Sequence, residues 1–66
     1  MAIGRIKWYD EKKGYGFIES DAHGEVFLHR KGIKDFGYFG IHKNDEVSFE
    51  VKETPRGVQA VDVKVL

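Results

Sequence analysis

The chain has 66 residues and a mass of 7.6 kDa, with eleven Lys and Arg against eleven Asp and Glu, and no cysteine. That length holds one domain, spanning 1–66, and the missing cysteines exclude disulfides, thiolate nucleophiles and Cys-based zinc sites. A formal net charge of zero excludes a protein that holds nucleic acid or an anionic membrane by bulk charge alone. His23, His29 and His42 lack the His-x3-His and His-E-x-x-His spacings, so no metal or other cofactor is expected. Apolar runs are too short for a membrane span or a signal-peptide core, which predicts a soluble, cytoplasmic chain without a membrane partner.

No window carries the i, i+3, i+4, i+7 apolar spacing of a long helix. Short β-branched and aromatic segments predict five strands, over residues 3–9, 15–19, 26–29, 46–53 and 58–65. Residues 10–14 and 21–24 read as hairpin loops, so the first three strands form a meander. Residues 54–57, Thr-Pro-Arg-Gly, read as a tight turn between the last two strands. Between them, residues 30–44 read as a long loop with a short helical turn near 31–34. Five short strands in so small a chain avoid exposed edges by curling into an all-β, five-stranded antiparallel barrel.

Alternation assigns the faces. Val47, Phe49 and Val51 point one way on the fourth strand, and Val61, Val63 and Val65 alternate on the fifth, so both sets belong to the core. On the second and third strands both faces are apolar but differ in kind. Ile18, Val26 and Leu28 share the aliphatic face and match the valines, which leaves Tyr15, Phe17, Phe27 and His29 outward on neighbouring strands. Strict alternation places Trp8 with the buried Ile6, and its exposure requires a change of phase in the first strand.

Leaving several rings in water forgoes burial of roughly 1.5–3 kcal/mol each, so such a patch marks a binding surface. Lys7, Lys13 and Arg30 lie close by in sequence. Rings interleaved with cations suit a single-stranded nucleic acid, whose bases stack at about 1–3 kcal/mol each while cations meet its phosphates. Gly14 and Gly16 are expected to keep the sheet low between rings so that a base can approach. Two alternatives stay open: the rings cover a second core beneath Phe36, Tyr38 and Phe39 of the long loop, or they dock a protein partner. Catalysis finds no footing, because G-x-S-x-G and G-x-x-x-x-G-K-S/T are absent and the dinucleotide fingerprint begun at Gly14 lacks its third glycine.

These residues resemble the bacterial cold-shock proteins and the related cold-shock domains of Y-box proteins, over essentially the whole chain. Gly4-Arg-Ile-Lys7-Trp8-Tyr9 is similar to that family's opening strand, Lys13-Gly-Tyr-Gly-Phe-Ile18 to its first ribonucleoprotein motif and Val26-Phe-Leu-His29 to its second. The first motif also resembles that of the RNA-recognition motif domain, but Ser20 fails its last position and two helices have no room. The resemblance implies an OB-type barrel that binds single-stranded RNA or DNA, often pyrimidine-rich, as an RNA chaperone. It also implies a stacking surface of Trp8, Tyr15, Phe17, Phe27, His29 and Tyr38, with Lys7, Lys13 and Arg56 placed for phosphates or base edges and Tyr9 partly buried beside them. A monomer is expected, with dimerisation by strand exchange left open. The chain departs from the family at two places: Arg30 replaces a common aromatic residue and is expected to meet the ligand by stacking its guanidinium plane on a base and attracting phosphate, whereas Asp10 replaces a common asparagine and brings a charge that repels phosphate; Phe39 has no assigned place.

Overall fold

The computed structural model describes residues 1–37 and 40–66. Its strands are β1 (Ala2–Asp10), β2 (Tyr15–Ser20), β3 (Gly24–His29), β4 (Ile33–Asp35), β5 (Glu46–Thr54) and β6 (Gly57–Val65), with a 3-10 turn at Arg30–Gly32. They form one sheet in the order β3-β2-β1-β5-β6-β4, which closes because β3 also pairs with β6. The meander β1-β2-β3 and the β5–β6 hairpin are antiparallel, as alternating turns require.

Closure departs from the purely antiparallel expectation for a geometric reason. Around the ring β3-β2-β1-β5-β6 an up-down alternation cannot be kept through an odd number of strands, so one contact must be parallel. It falls between β3 and β6, where Phe27 faces Gln59 and Leu28 faces Ala60. The short β4 also joins β6 in parallel, pairing Ile33 with Val63 and Asp35 with Lys64. This sixth strand lies inside the expected 30–44 loop, and its three residues carry too little periodicity to be read as a strand.

Ile6, Ile18, Val26, Leu28, Ile33, Val47, Phe49, Ala60 and Val63 fill the barrel. The aliphatic faces of β2 and β3 and the Val47–Phe49 face of β5 are therefore core, as their period of two implies. One expectation is corrected on β6, where Ala60 is fully buried in place of Val61. The register slips between Ser48 and Glu50 of β5, and opposite that slip Asp62 takes a positive φ of 53°. This bulge switches the phase of β6, so Ala60 and Val63 point inward although they are three residues apart.

Candidate nucleic-acid interface

The outer surface of β1, β2 and β3 is built from rings. On β2, Tyr15 and Phe17 alternate with the buried Gly16 and Ile18; on β3, Phe27 and His29 alternate with the buried Val26 and Leu28. The register sets Tyr15 opposite His29 and Phe17 opposite Phe27. Trp8 joins them because β1 bulges: Ile6 faces Ile18, but the next pair is Trp8 with Phe17, leaving Lys7 as the extra residue. Ile6 thus stays in the core while Trp8, two positions on, turns outward and is 40% exposed.

The five rings form a connected array. Trp8 lies 5.7 Å from Tyr15 and 5.4 Å from Phe17 between centroids. Phe27 lies 6.0 Å from Tyr15, 5.7 Å from Phe17 and 6.5 Å from His29. Most pairs are tilted or edge-on, which leaves ring faces of differing orientation at the surface. No ring pairing with Phe36, itself 40% exposed, is present among the described residues. Tyr38 and Phe39 lie outside the described residues.

The two glycines act differently from the sequence expectation. Gly16 is buried, and a Cβ there would sit 2.2 Å from the Trp8 carbonyl oxygen and 2.7 Å from the Tyr9 Cα. Its missing side chain lets β1 approach β2, and the space it leaves faces backbone rather than an incoming base. Gly14 closes the β1–β2 turn at φ +78°, a left-handed conformation. In the same turn the Asp10 carboxylate accepts hydrogen bonds from the Lys12 N–H at 3.0 Å and the Lys13 N–H at 3.1 Å. Asp10 therefore supplies the acceptor that an asparagine side chain would, and its charge is turned to the loop.

The candidate cations are carried by different elements. Lys7 donates to Glu25 Oε2 at 2.7 Å, and this hydrogen bond, with the charge of the same carboxylate, raises the Lys7 pKa above its ordinary value of 10.5. Glu25 faces Glu19 directly across β2 and β3, so Lys7 also eases a like-charge pair. Arg56 lines a cleft of about 490 Å³ whose walls include Phe17, Phe27 and Gln59. The turn that carries it is held by Thr54, whose Oγ1 donates to the Gly57 carbonyl at 2.8 Å and accepts from the Arg56 N–H at 3.2 Å. Lys13 sits in the β1–β2 turn. The Arg30 guanidinium donates to the Glu11 carbonyl and lies against Gly14. His29 Nδ1 accepts from the Lys31 N–H at 3.1 Å.

Two participants escaped the sequence reading. Gln59 enters the cleft only because β6 closes against β3, a pairing that no local pattern announces. Glu25 follows the alternation of β3 and shares the outer face of Phe27, a signal that was available. Among the described residues no group of three or more His, Cys, Asp or Glu is placed to hold a metal ion. Nor is any helix among them long and apolar enough to cross a membrane.

The chain is similar in sequence, and in one case in structure, to known proteins. A family model described as the 'Cold-shock' DNA-binding domain matches residues 2–66. The chain is 44% identical over 63 residues to a cold shock-like protein of Thermotoga maritima, covering 96% of each. It is 42% identical over 67 residues to the major cold shock protein of Micrococcus luteus, covering 100% of each. With cold shock protein CspD of Bacillus subtilis the identity is 43% over 63 residues, again 96% of each. Among solved structures, drosophila Unr CSD456 superposes with a TM-score of 0.80 at 30% identity, over 98% of this chain and 26% of that one.

Proposed function

The chain belongs to the cold-shock domain family, and from that membership we propose that it binds single-stranded RNA or DNA by stacking unpaired bases on the outer rings of β1, β2 and β3, and so acts as an RNA chaperone without ATP. The observation that carries this reading is the connected array of Trp8, Tyr15, Phe17, Phe27 and His29, with successive centroids 5.4–6.5 Å apart. Each ring offers a surface to any base, at about 1–3 kcal/mol per stack, so the binding is sequence-tolerant. A modest preference for pyrimidine-rich runs goes with the family resemblance. Stacking carries most of the affinity because formal net charge is zero; Lys7, Lys13 and Arg56 supply local cations for phosphates.

Chaperone action needs no catalytic group. A protein that binds unpaired but not paired strands shifts the equilibrium of a hairpin towards its open form by mass action. Duplex DNA buries its base faces and binds poorly to such a surface. The proposed ligand covers about five or six nucleotides, within the range for a single OB fold.

Fluorescence titration of Trp8 with an oligothymidine of seven nucleotides, at two salt concentrations, tests the proposal. Saturable quenching is expected, with an affinity that falls at a log–log slope near −2, from about three phosphates at roughly −0.7 each. Quenching by a duplex at equal affinity, or no response to the oligothymidine, overturns it. In that case the same rings are to be tested for a protein partner, whose binding would depend far less on salt.

A further inference from the structure

We propose that Arg30 is a positioning residue: it clamps the β1–β2 loop that carries Lys13, instead of presenting its guanidinium to the ligand. The inference rests on the single-strand reading for its functional consequence, and on the geometry of the loop for its physical basis.

Residues 11–14 are tied down from two directions. From within, the Lys12 and Lys13 N–H groups return to the Asp10 carboxylate, and the Gly14 N–H donates to the Asp10 carbonyl at 2.7 Å. From outside come three contacts from one residue. The Arg30 N–H donates to the Gly14 carbonyl at 2.8 Å. Its guanidinium donates to the Glu11 carbonyl. Its side chain also covers the bare face of Gly14, where a Cβ would meet Nε at 3.6 Å and Cζ at 3.7 Å.

Arg30 itself starts from a fixed point. It opens the 3-10 turn whose Lys31 N–H is capped by His29 Nδ1 at 3.1 Å, and His29 stands at the end of the ring array. The clamp therefore joins the array to the loop that carries Lys12 and Lys13. An aromatic residue at position 30 could cover Gly14 but could not donate to the Glu11 carbonyl. A lysine could donate but would lack the planar contact. A loop ordered before binding loses less conformational entropy when a phosphate reaches Lys13, which is how the clamp contributes to affinity.

The test uses Arg30→Met, Arg30→Lys and Lys13→Gln singly and in combination on the whole chain. In the free protein, amide exchange at Lys12, Lys13 and Gly14 is expected to speed up in Arg30→Met and to return part of the way in Arg30→Lys. Unchanged exchange at these amides overturns the clamp whether or not the protein binds nucleic acid. In oligothymidine titrations, Arg30→Met is expected to weaken binding ~2- to 5-fold in the parent and by a clearly smaller factor, approaching no loss, in the Lys13→Gln background. Equal losses in both backgrounds mean that Arg30 meets the ligand directly, and the positioning role is then refuted. Failure of the parent to bind oligothymidine sinks the single-strand reading separately.

Discussion

Substitution of Gly16 by alanine puts one methyl group where β1 and β2 come closest. The added Cβ would lie 2.2 Å from the Trp8 carbonyl oxygen and 2.7 Å from the Tyr9 Cα, both backbone atoms that no rotamer change can move aside. The strands must separate by about 1 Å to reach ordinary contact, against a usual spacing near 4.8 Å, and the ladder hydrogen bonds around Tyr9 and Gly16 lengthen with them. Overpacking a core typically costs about 1–3 kcal/mol, and an unyielding backbone places this site at the upper end. A chain of 66 residues has a total stability of roughly 3–10 kcal/mol, so a loss of about 3 kcal/mol is a large share of it. At about 4–8 °C per kcal/mol, Tm should fall by roughly 12–24 °C in thermal unfolding followed by circular dichroism. Gly24→Ala is the control: Gly24 has φ +68° but no atom within 4 Å of a Cβ, so it carries only the left-handed penalty of about 1–2 kcal/mol. A Gly16→Ala protein that melts no lower than Gly24→Ala would refute the close-approach argument.

Phe27 touches three other rings, so Phe27→Ala should weaken oligothymidine binding by about 1–3 kcal/mol, read by Trp8 fluorescence at a temperature where circular dichroism shows the variant folded; undiminished affinity counts against stacking there. Phe49→Ala should do the reverse, costing about 3–5 kcal/mol of stability on denaturant unfolding through the cavity it opens, while the folded fraction retains its affinity. Glu25→Gln removes the carboxylate that competes with phosphate for Lys7, one of the three proposed phosphate cations, so oligothymidine should bind more tightly at low salt while the slope stays near −2; unchanged affinity means that Lys7 makes no phosphate contact. Because the Lys7 pKa is raised in the folded chain, the stabilisation from its pair with Glu25 is fully present below pH 10.5 and is lost as pH rises through the raised value. A parent whose stability falls no more than that of Lys7→Gln across that alkaline range would contradict this.

The period of two was enough to sort β2 and β3 into a core face and a ring face, because both strands run straight through their pairing. It failed wherever a strand slips. Trp8 contradicts simple alternation from Ile6 because Lys7 is an extra residue, and Val61 gives way to Ala60 because Asp62 sits in a bulge. Both bulges are defined by the register against the neighbouring strand of a hairpin, which the alternation along β1 or β6 alone does not carry. The cation side was harder still. Lys7 and Glu25 are separated by 18 positions, and Arg30 and Glu11 by 19; their meeting depends on the folded meander rather than on any motif. Asp10, read as an unfavourable charge beside a phosphate, caps its own turn, which its place before Lys12 and Lys13 could have signalled.

The parallel contact between β3 and β6 joins only Phe27 to Gln59 and Leu28 to Ala60, and the cleft that holds Arg56 opens along this seam. Phe27 and Phe17 on one bank belong to the meander; Arg56 and Gln59 on the other belong to the β5–β6 hairpin. A strand of nucleic acid lying in that cleft stitches together two halves of the chain that otherwise share a short seam there. On the proposed reading, a ligand bound in that cleft would oppose the separation of β3 from β6 and so stabilise this seam by its binding free energy.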